Sequence, residues 1–252
     1  MINVEFLSAA KKQLAADYAC APEDFFADVN IVTAAVSAEG QRKFTDRPPA
    51  FRAATFGKNT LISAVPELLE AVQELSSIGG TKLFDGSGIA AANGILAPYG
   101  HVIGMISQYY LPSAEFVPHD FGGYDLRLFG EREILEILYP YYGGYENALM
   151  YGSRGDRRDV LAVCAVSGKE ILGMAGVSSD SELFWQIGID ILPEHRGKGL
   201  APILVSTLAN EVILRGKIPY YGTWSGNIIS QRTALGSGFL PAWTEMCSVP
   251  IE

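Results

Sequence analysis

The residues best suited to chemistry stand where a strand-like run ends in Arg196-Gly197-Lys198-Gly199-Leu200-Ala201 and a helical stripe begins at Leu200, Leu204, Leu208 and Val212. The first turn of a helix carries N–H groups without intrahelical partners and the positive end of the macrodipole. A phosphate placed there gains hydrogen bonds and roughly 0.3–1 kcal/mol of dipole attraction. Gly197 and Gly199 let the backbone approach such an anion, and Pro202 falls where its missing N–H breaks no helical bond. Strand, glycine loop and helix therefore predict a binding site for a phosphorylated ligand.

Two further elements flank this loop. Ile191-Leu192-Pro193 leads into it, and downstream a strand over residues 218–224 is followed by Asn227, by Ser230 three positions on, and by Gly238-Phe239. In this order they resemble the GNAT superfamily of N-acetyltransferases. The pyrophosphate loop of that family reads Arg or Gln, two residues, Gly, one residue, then Gly or Ala, and Arg196, Gly199 and Ala201 fit it. The resemblance covers residues 124–252, about half the chain. It implies a mixed, mostly antiparallel sheet with flanking helices and a splayed strand pair, with acetyl-CoA as acyl donor and CoA as product. Arg196, Gly197, Lys198, Gly199, Leu200 and Ala201 would hold the pyrophosphate. The pantetheine arm would run against Ile191 and Leu192, the Leu192 amide would polarise the thioester carbonyl, and Asn227 and Ser230 would contact the arm near the sulfur.

One position departs from the family. Many members carry a Tyr seven residues after the Asn, to protonate the departing thiolate, and this chain has Ala234. Tyr221, Tyr220 and Cys247 are alternative donors, each more readily explained as a packed strand residue. Unassisted departure is also tolerable, because a thiol of pKa about 8.5 leaves a weakly basic anion. A neutral amine needs a base near the acyl group. Asp190 is the candidate, sharing a strand face with Gln186 and Gly188, with a loop-holding carboxylate as the alternative. Glu182 and Glu194 are weaker, and His195 suits a surface position. Trp224 is either a core plug or one wall of an acceptor pocket. Arg154, Arg157 and Arg158 form either a contact for a CoA 3'-phosphate or a solvated turn. Two functions stay open: an N-acetyltransferase acting on a small-molecule or peptide amine, or an acyl-CoA-binding module without turnover.

The elements around this segment read as follows. Residues 3–19 have helical periodicity, residues 29–37 and 51–65 are strand-like, residues 66–75 and 86–96 are helical, and residues 101–111 form an apolar strand. Two prolines and a Gly-Gly in residues 112–123 mark a boundary, giving a smaller α/β domain over residues 1–117, a cover for the acceptor site or a degenerate GNAT-like half, and the GNAT domain over 124–252. In the latter come a strand (125–129), helical segments (131–150) and a hairpin (160–167 and 171–178). Asp85-Gly86-Ser87-Gly88 imitates a dinucleotide loop, but the run before it is too short for a strand and no acidic residue follows at ribose distance.

Composition excludes several classes. The formal charge of -9 opposes binding to a phosphate backbone. No apolar run approaches the roughly 20 residues that span a bilayer, and the first residues lack a basic, then apolar, leader, so a cytoplasmic protein is expected. Cys20, Cys164 and Cys247 are odd in number and have no His at ligand spacing, which indicates free thiols and no metal. Nothing in the sequence decides between a monomer and a homodimer.

Overall fold

The computed structural model describes residues 1–43, 49–120, 122–154 and 157–251. In chain order its elements are α1 (Val4–Tyr18), β1 (Ile31–Ala34), β2 (Phe51–Thr55), β3 (Leu61–Ala64), α2 (Leu69–Val72), α3 (Gly86–Leu96), β4 (His101–Pro112) and β5 (Asp125–Gly130). Then follow α4 (Glu131–Glu133), α5 (Tyr139–Tyr141), β6 (Ser153–Arg154), β7 (Arg157–Ser167), β8 (Glu170–Ser179), β9 (Phe184–Ile191), α6 (Leu200–Leu214), β10 (Ile218–Trp224), α7 (Ile228–Gly236) and β11 (Phe239–Pro250).

The strands form one sheet in the order β1-β3-β2-β11-β4-β10-β9-β8-β7-β5. It is mixed and mostly antiparallel, with parallel pairing at β1–β3 and β9–β10, and helices cover both faces, as the sequence led us to expect. The segment proposed as the domain boundary lies on the connection from β4 to β5, and the sheet does not stop there. β4 lies between β10 and β11, opposing Tyr110 to Tyr221 on one side and Leu111 to Leu240 on the other. β11 is bonded to β2 and β4, both from the first 112 residues.

Each layer follows from the apolar pattern. Leu200, Leu204, Leu208 and Val212 of α6 pack on Val163, Ala175, Ile187 and Tyr221 on one face of the sheet. On the opposite face, Ala10, Leu14 and Tyr18 of α1 meet Tyr109, Phe184, Tyr220 and Trp243, with Asn3 capping the helix through the N–H groups of Glu5 and Phe6. Ile134, Leu138, Tyr145 and Leu149 cover Ala162, Cys164 and Met174 on that same face.

Three expectations change. The strand-like run 51–65 is two strands, β2 and β3, joined through Gly57 at φ 102. The helical reading of residues 131–150 holds only to Tyr141, because Gly143 and Gly144 (φ 89) release the chain into a loop that lies on the sheet. Before Gly86 stands a 3-10 turn, Lys82–Phe84, rather than a strand, and Asp85 makes no capping bond; a Cβ at Gly88 would come 2.3 Å from the Lys82 carbonyl oxygen, so close packing explains that glycine. No described helix is long and apolar enough to cross a membrane.

Candidate functional site

The site begins at a split in the sheet. β9 and β10 pair from Phe184–Ile218 to Ile187–Tyr221 and no further, although β9 continues to Ile191 and β10 to Trp224. The gap opens into a cleft of about 1210 Å³.

Strand parity decides which groups face the gap. The Leu192 N–H donates to the Leu172 carbonyl at 3.1 Å, and the Asp180 N–H to the Phe184 carbonyl at 3.2 Å. In an antiparallel ladder these fix the even-numbered residues of β9 as the ones bonded to β8, so the N–H groups of Ile189 and Ile191 point toward the gap. This corrects the expectation for Leu192: its amide is already engaged, and the donors facing the gap are one residue to either side of Asp190. Side chains divide in the same way. Gln186, Gly188 and Asp190 share a face with Tyr220, Gly222 and Trp224, whereas Ile187, Ile189 and Tyr221 lie on the face of α6 and α7.

On the α6 face stands the glycine loop. Gly197 and Gly199 have φ of 73° and 79°, which favour glycine, and a Cβ at either would meet nothing within 4 Å. Gly199 is the N-cap of α6 and gives no side-chain cap, so the N–H groups of Gly199, Leu200 and Ala201 have no protein acceptor among the described residues. Arg196 folds back and donates from Nε to the Ile191 carbonyl at 2.9 Å, fixing the turn out of the strand. Lys198 is exposed. Across the gap, Asn227 caps α7 by accepting from the Ser230 N–H at 3.1 Å, and Ser230 Oγ lies 2.8 Å from the Tyr221 hydroxyl. The loop, Asn227, Ser230 and Tyr221 all line one cleft. Burial raises the Tyr221 phenol above its ordinary value, against the opposing hydrogen bond to Ser230, so it holds its proton at neutral pH. Ala234 is fully buried in the α6 core. A Tyr there would overfill the core.

The opposite face is roofed by residues 144–150. Gly176 and Gly188 are cross-strand partners, and a Cβ would stand 2.1 Å from the Ala148 carbonyl oxygen at the first and 1.8 Å from the Asn147 carbonyl oxygen at the second. The loop thus lies directly on bare backbone. Asp190 fastens it, accepting from Asn147 N at 2.7 Å, Asn147 Nδ2 at 2.6 Å and Ala148 N at 3.0 Å. Gly188→Ala should displace this roof and cost about 1–3 kcal/mol of stability or more; a denaturation midpoint unchanged from wild type would refute the packing.

Sequence reasoning did not single out the remaining groups on this face. A bulge at Val160, between the Asp159–Ser178 and Leu161–Val177 pairs, turns Asp159 to the roofed side. There it accepts from the Tyr139 hydroxyl and the Met150 N–H, each at 2.7 Å, while burial raises its carboxyl above the usual value. Arg157 lies beside Asp180 (Nε–Oδ1 2.5 Å), Ser178 and Gln186. It is therefore at the far end of β9 from the glycine loop, which removes the 3'-phosphate alternative for it, and its ion pair with Asp180 replaces the expected solvated turn. Arg158 pairs with Glu131 at 2.9 Å at the surface; the Arg154 side chain lies outside what is described. Tyr220 is buried with its hydroxyl on Asp180, and Cys247 sits on β11 opposite Arg52 and Met105, away from the cleft. Glu182 is exposed outside it. Trp224 is 69% exposed and lines the cleft, so it is a wall and not a core plug. Glu170, Glu194 and His195 cluster beside the loop, but two are exposed acids of a kind common without any ion.

A split sheet with uncapped amides at one helix start and two strand amides facing the gap gives this α/β fold a cleft whose donors suit an anion at one end and a carbonyl oxygen along its length. Residues 131–239 match the family model for Acetyltransferase (GNAT) family. That match lies within the C-terminal part of the chain, which resembles the GNAT superfamily. Solved structures with similar folds include a GNAT-family acetyltransferase from Novosphingobium aromaticivorans DSM 12444 (16% identity, TM-score 0.42, 59% of this chain and 66% of that one). Others are a GNAT-family acetyltransferase from Colwellia psychrerythraea (14%, 0.44, 98% and 97%) and a GCN5-related N-acetyltransferase-like protein from Streptococcus suis 89/1591 (14%, 0.48, 96% and 99%). Nothing about this chain's chemistry follows from likenesses of that degree. No curated protein matches the chain.

Proposed function

We propose that this protein transfers an acyl group, acetyl in the simplest case, from acyl-CoA to a primary amine by direct attack within a ternary complex. The observation that supports this reading best is the split itself, which joins the anion-binding loop on one face of the sheet to the roofed pocket on the other. A donor lying through the gap would rest its pyrophosphate on the amides from Gly197 to Ala201 beside Arg196 and Lys198, and its arm against Ile189 to Leu192 and Asn227. The amides of Ile189 and Ile191 would then face the thioester oxygen, stabilising the charge that develops there. The amine enters from the roofed face, its nitrogen bonds to the carbonyl carbon, and the carbon–sulfur bond breaks. The thiolate takes the Tyr221 proton, the proton shed by the attacking nitrogen passes to solvent, and solvent returns one to Tyr221 by way of the Ser230 hydroxyl.

In this reading Asp190 positions the roof rather than accepting a proton, since three N–H donors already occupy its carboxylate. Glu146 and Asp159 make the acceptor end negative. The N-terminal half helps to shape that end: Tyr109 lies against Gly222.

Tyr221→Phe keeps the ring packed near Phe239 and should lower kcat by about tenfold to a hundredfold, with acetyl-CoA affinity little changed. Single-turnover thiol release would show it, and an unaltered rate would remove Tyr221 as the acid. Buried Ala234 favours a second reading, an acyl-CoA-binding module without turnover. Calorimetric titration with acetyl-CoA followed by an amine panel separates the two. Binding with thiol release above buffer supports transfer, and binding without release on any amine supports the module.

A further inference from the structure

The acceptor end has an outer rim whose composition differs from its interior. Trp224 stands on β10 past the last β9–β10 pair, level with Asp190 by the register Tyr220–Gln186. Its indole is 69% exposed and makes no ring contact among the described residues, whereas Tyr109, Tyr220 and Trp243 nearby are packed on one another. Met105, two residues beyond Ser107, the β4 partner of Trp224, points to the same face and is 49% exposed. An apolar surface continuous with a binding cleft marks the place where a ligand's apolar part is desolvated. Inward from this rim the ionic lining of the roofed face is acidic, with Glu146 and Asp159, while Arg157 is matched by Asp180; Arg196 and Arg232 of the cleft belong to the loop before α6 and to α7, on the other face.

We infer that Trp224, with Met105, forms a specificity subsite, and that the acceptor is a primary amine carrying an aromatic or branched apolar group a few bonds from its nitrogen. The inference rests on the proposed transfer reaction for its role but not for its binding test. The acidic interior attracts the ammonium form and disfavours an acidic acceptor. A purely hydrophilic polyamine would leave the indole and the Met105 side chain in water.

The test uses the full-length protein saturated with CoA, titrated calorimetrically with 2-phenylethylamine, 3-methylbutylamine, propylamine and putrescine, alongside acetyl-CoA turnover with each. The first two should bind and react best. Trp224→Ala should weaken their binding and lower their kcat/KM by about tenfold to thirtyfold, the scale set by desolvating part of a ring. It should leave propylamine and acetyl-CoA affinity nearly unchanged, and Trp224→Phe should retain most of the preference. Equal losses for all four amines, or a loss confined to acetyl-CoA or butyryl-CoA affinity, would overturn the assignment in favour of a general wall or a donor contact. Absence of any amine binding to the CoA-saturated wild type would also overturn it. Amine binding without turnover in the wild type would keep the subsite and sink the transfer reaction instead.

Discussion

Residues 118–252 produced alone should fail to fold cooperatively, although they hold the whole family match. The reason lies in strand order. β11 has its two neighbours, β2 and β4, in the first 112 residues, so the fragment leaves twelve residues of strand with no ladder on either side. β10 likewise loses the neighbour at its outer edge. The apolar loss is comparable: Tyr220, Phe184 and Trp243 are buried against α1, Tyr109 and Leu111, and each large side chain uncovered forfeits roughly 1.5–3 kcal/mol. A domain's net stability is only about 5–15 kcal/mol, so a few such losses exhaust it. Circular dichroism melts of the fragment should show no sharp transition, and co-expression with residues 1–117 should restore one. A fragment that melts cooperatively and binds acetyl-CoA would establish a separable C-terminal domain, as the proline and glycine pattern of residues 112–123 suggested.

Gly199→Glu should weaken acetyl-CoA binding by about a hundredfold or more while leaving the fold intact. The new carboxylate would stand at the N-cap of α6, where the proposed pyrophosphate must rest, replacing attraction by repulsion. Its cost to the fold is small. Space around Gly199 is open; the positive φ costs a side chain roughly 1–2 kcal/mol, and an acidic group at a helix start returns part of that. Gly199→Asn separates the causes, because Asn tolerates the left-handed backbone without adding charge and should keep much of the affinity. Calorimetry on the three proteins, with thermal melts to confirm folding, reads both effects. Equal affinity in Gly199→Glu and wild type would place the donor elsewhere and take the proposed function with it.

The truncation and the substitution differ in how far the sequence alone anticipates their outcomes. The glycine loop was legible because everything it needs is local: two glycines at positive φ, a proline in the first turn and a stripe of leucines follow one another within a few residues. The same holds for Asn227 and Ser230, whose hydrogen bond spans three positions. Partner choice across the sheet was not legible, since a strand such as His101–Pro112 carries no mark of which edges it will join. Side-chain roles at the split were hidden for related reasons. Asp190 and Leu192 sit on one strand, and a ladder bond to Leu172 sends the Leu192 amide to β8, whereas a loop more than forty residues upstream in the chain takes the Asp190 carboxylate. Asp159 reaches the roofed face only through a one-residue bulge, and Gly176 and Gly188 have meaning only once Asn147 and Ala148 lie on them.

The sequence by itself determined the glycine loop at a helix start and most of the elements, because local backbone preference and apolar period fix elements and their order, and its resemblance to the GNAT superfamily carried the mixed sheet with flanking helices. The tertiary structure alone decided that β4 completes the sheet between β10 and β11, that Ile189 and Ile191 rather than Leu192 face the gap, and that Trp224 stands open beside it. Those outcomes depend on hydrogen-bond parity and on contacts between residues far apart in the chain, which are set only when the strands choose their neighbours.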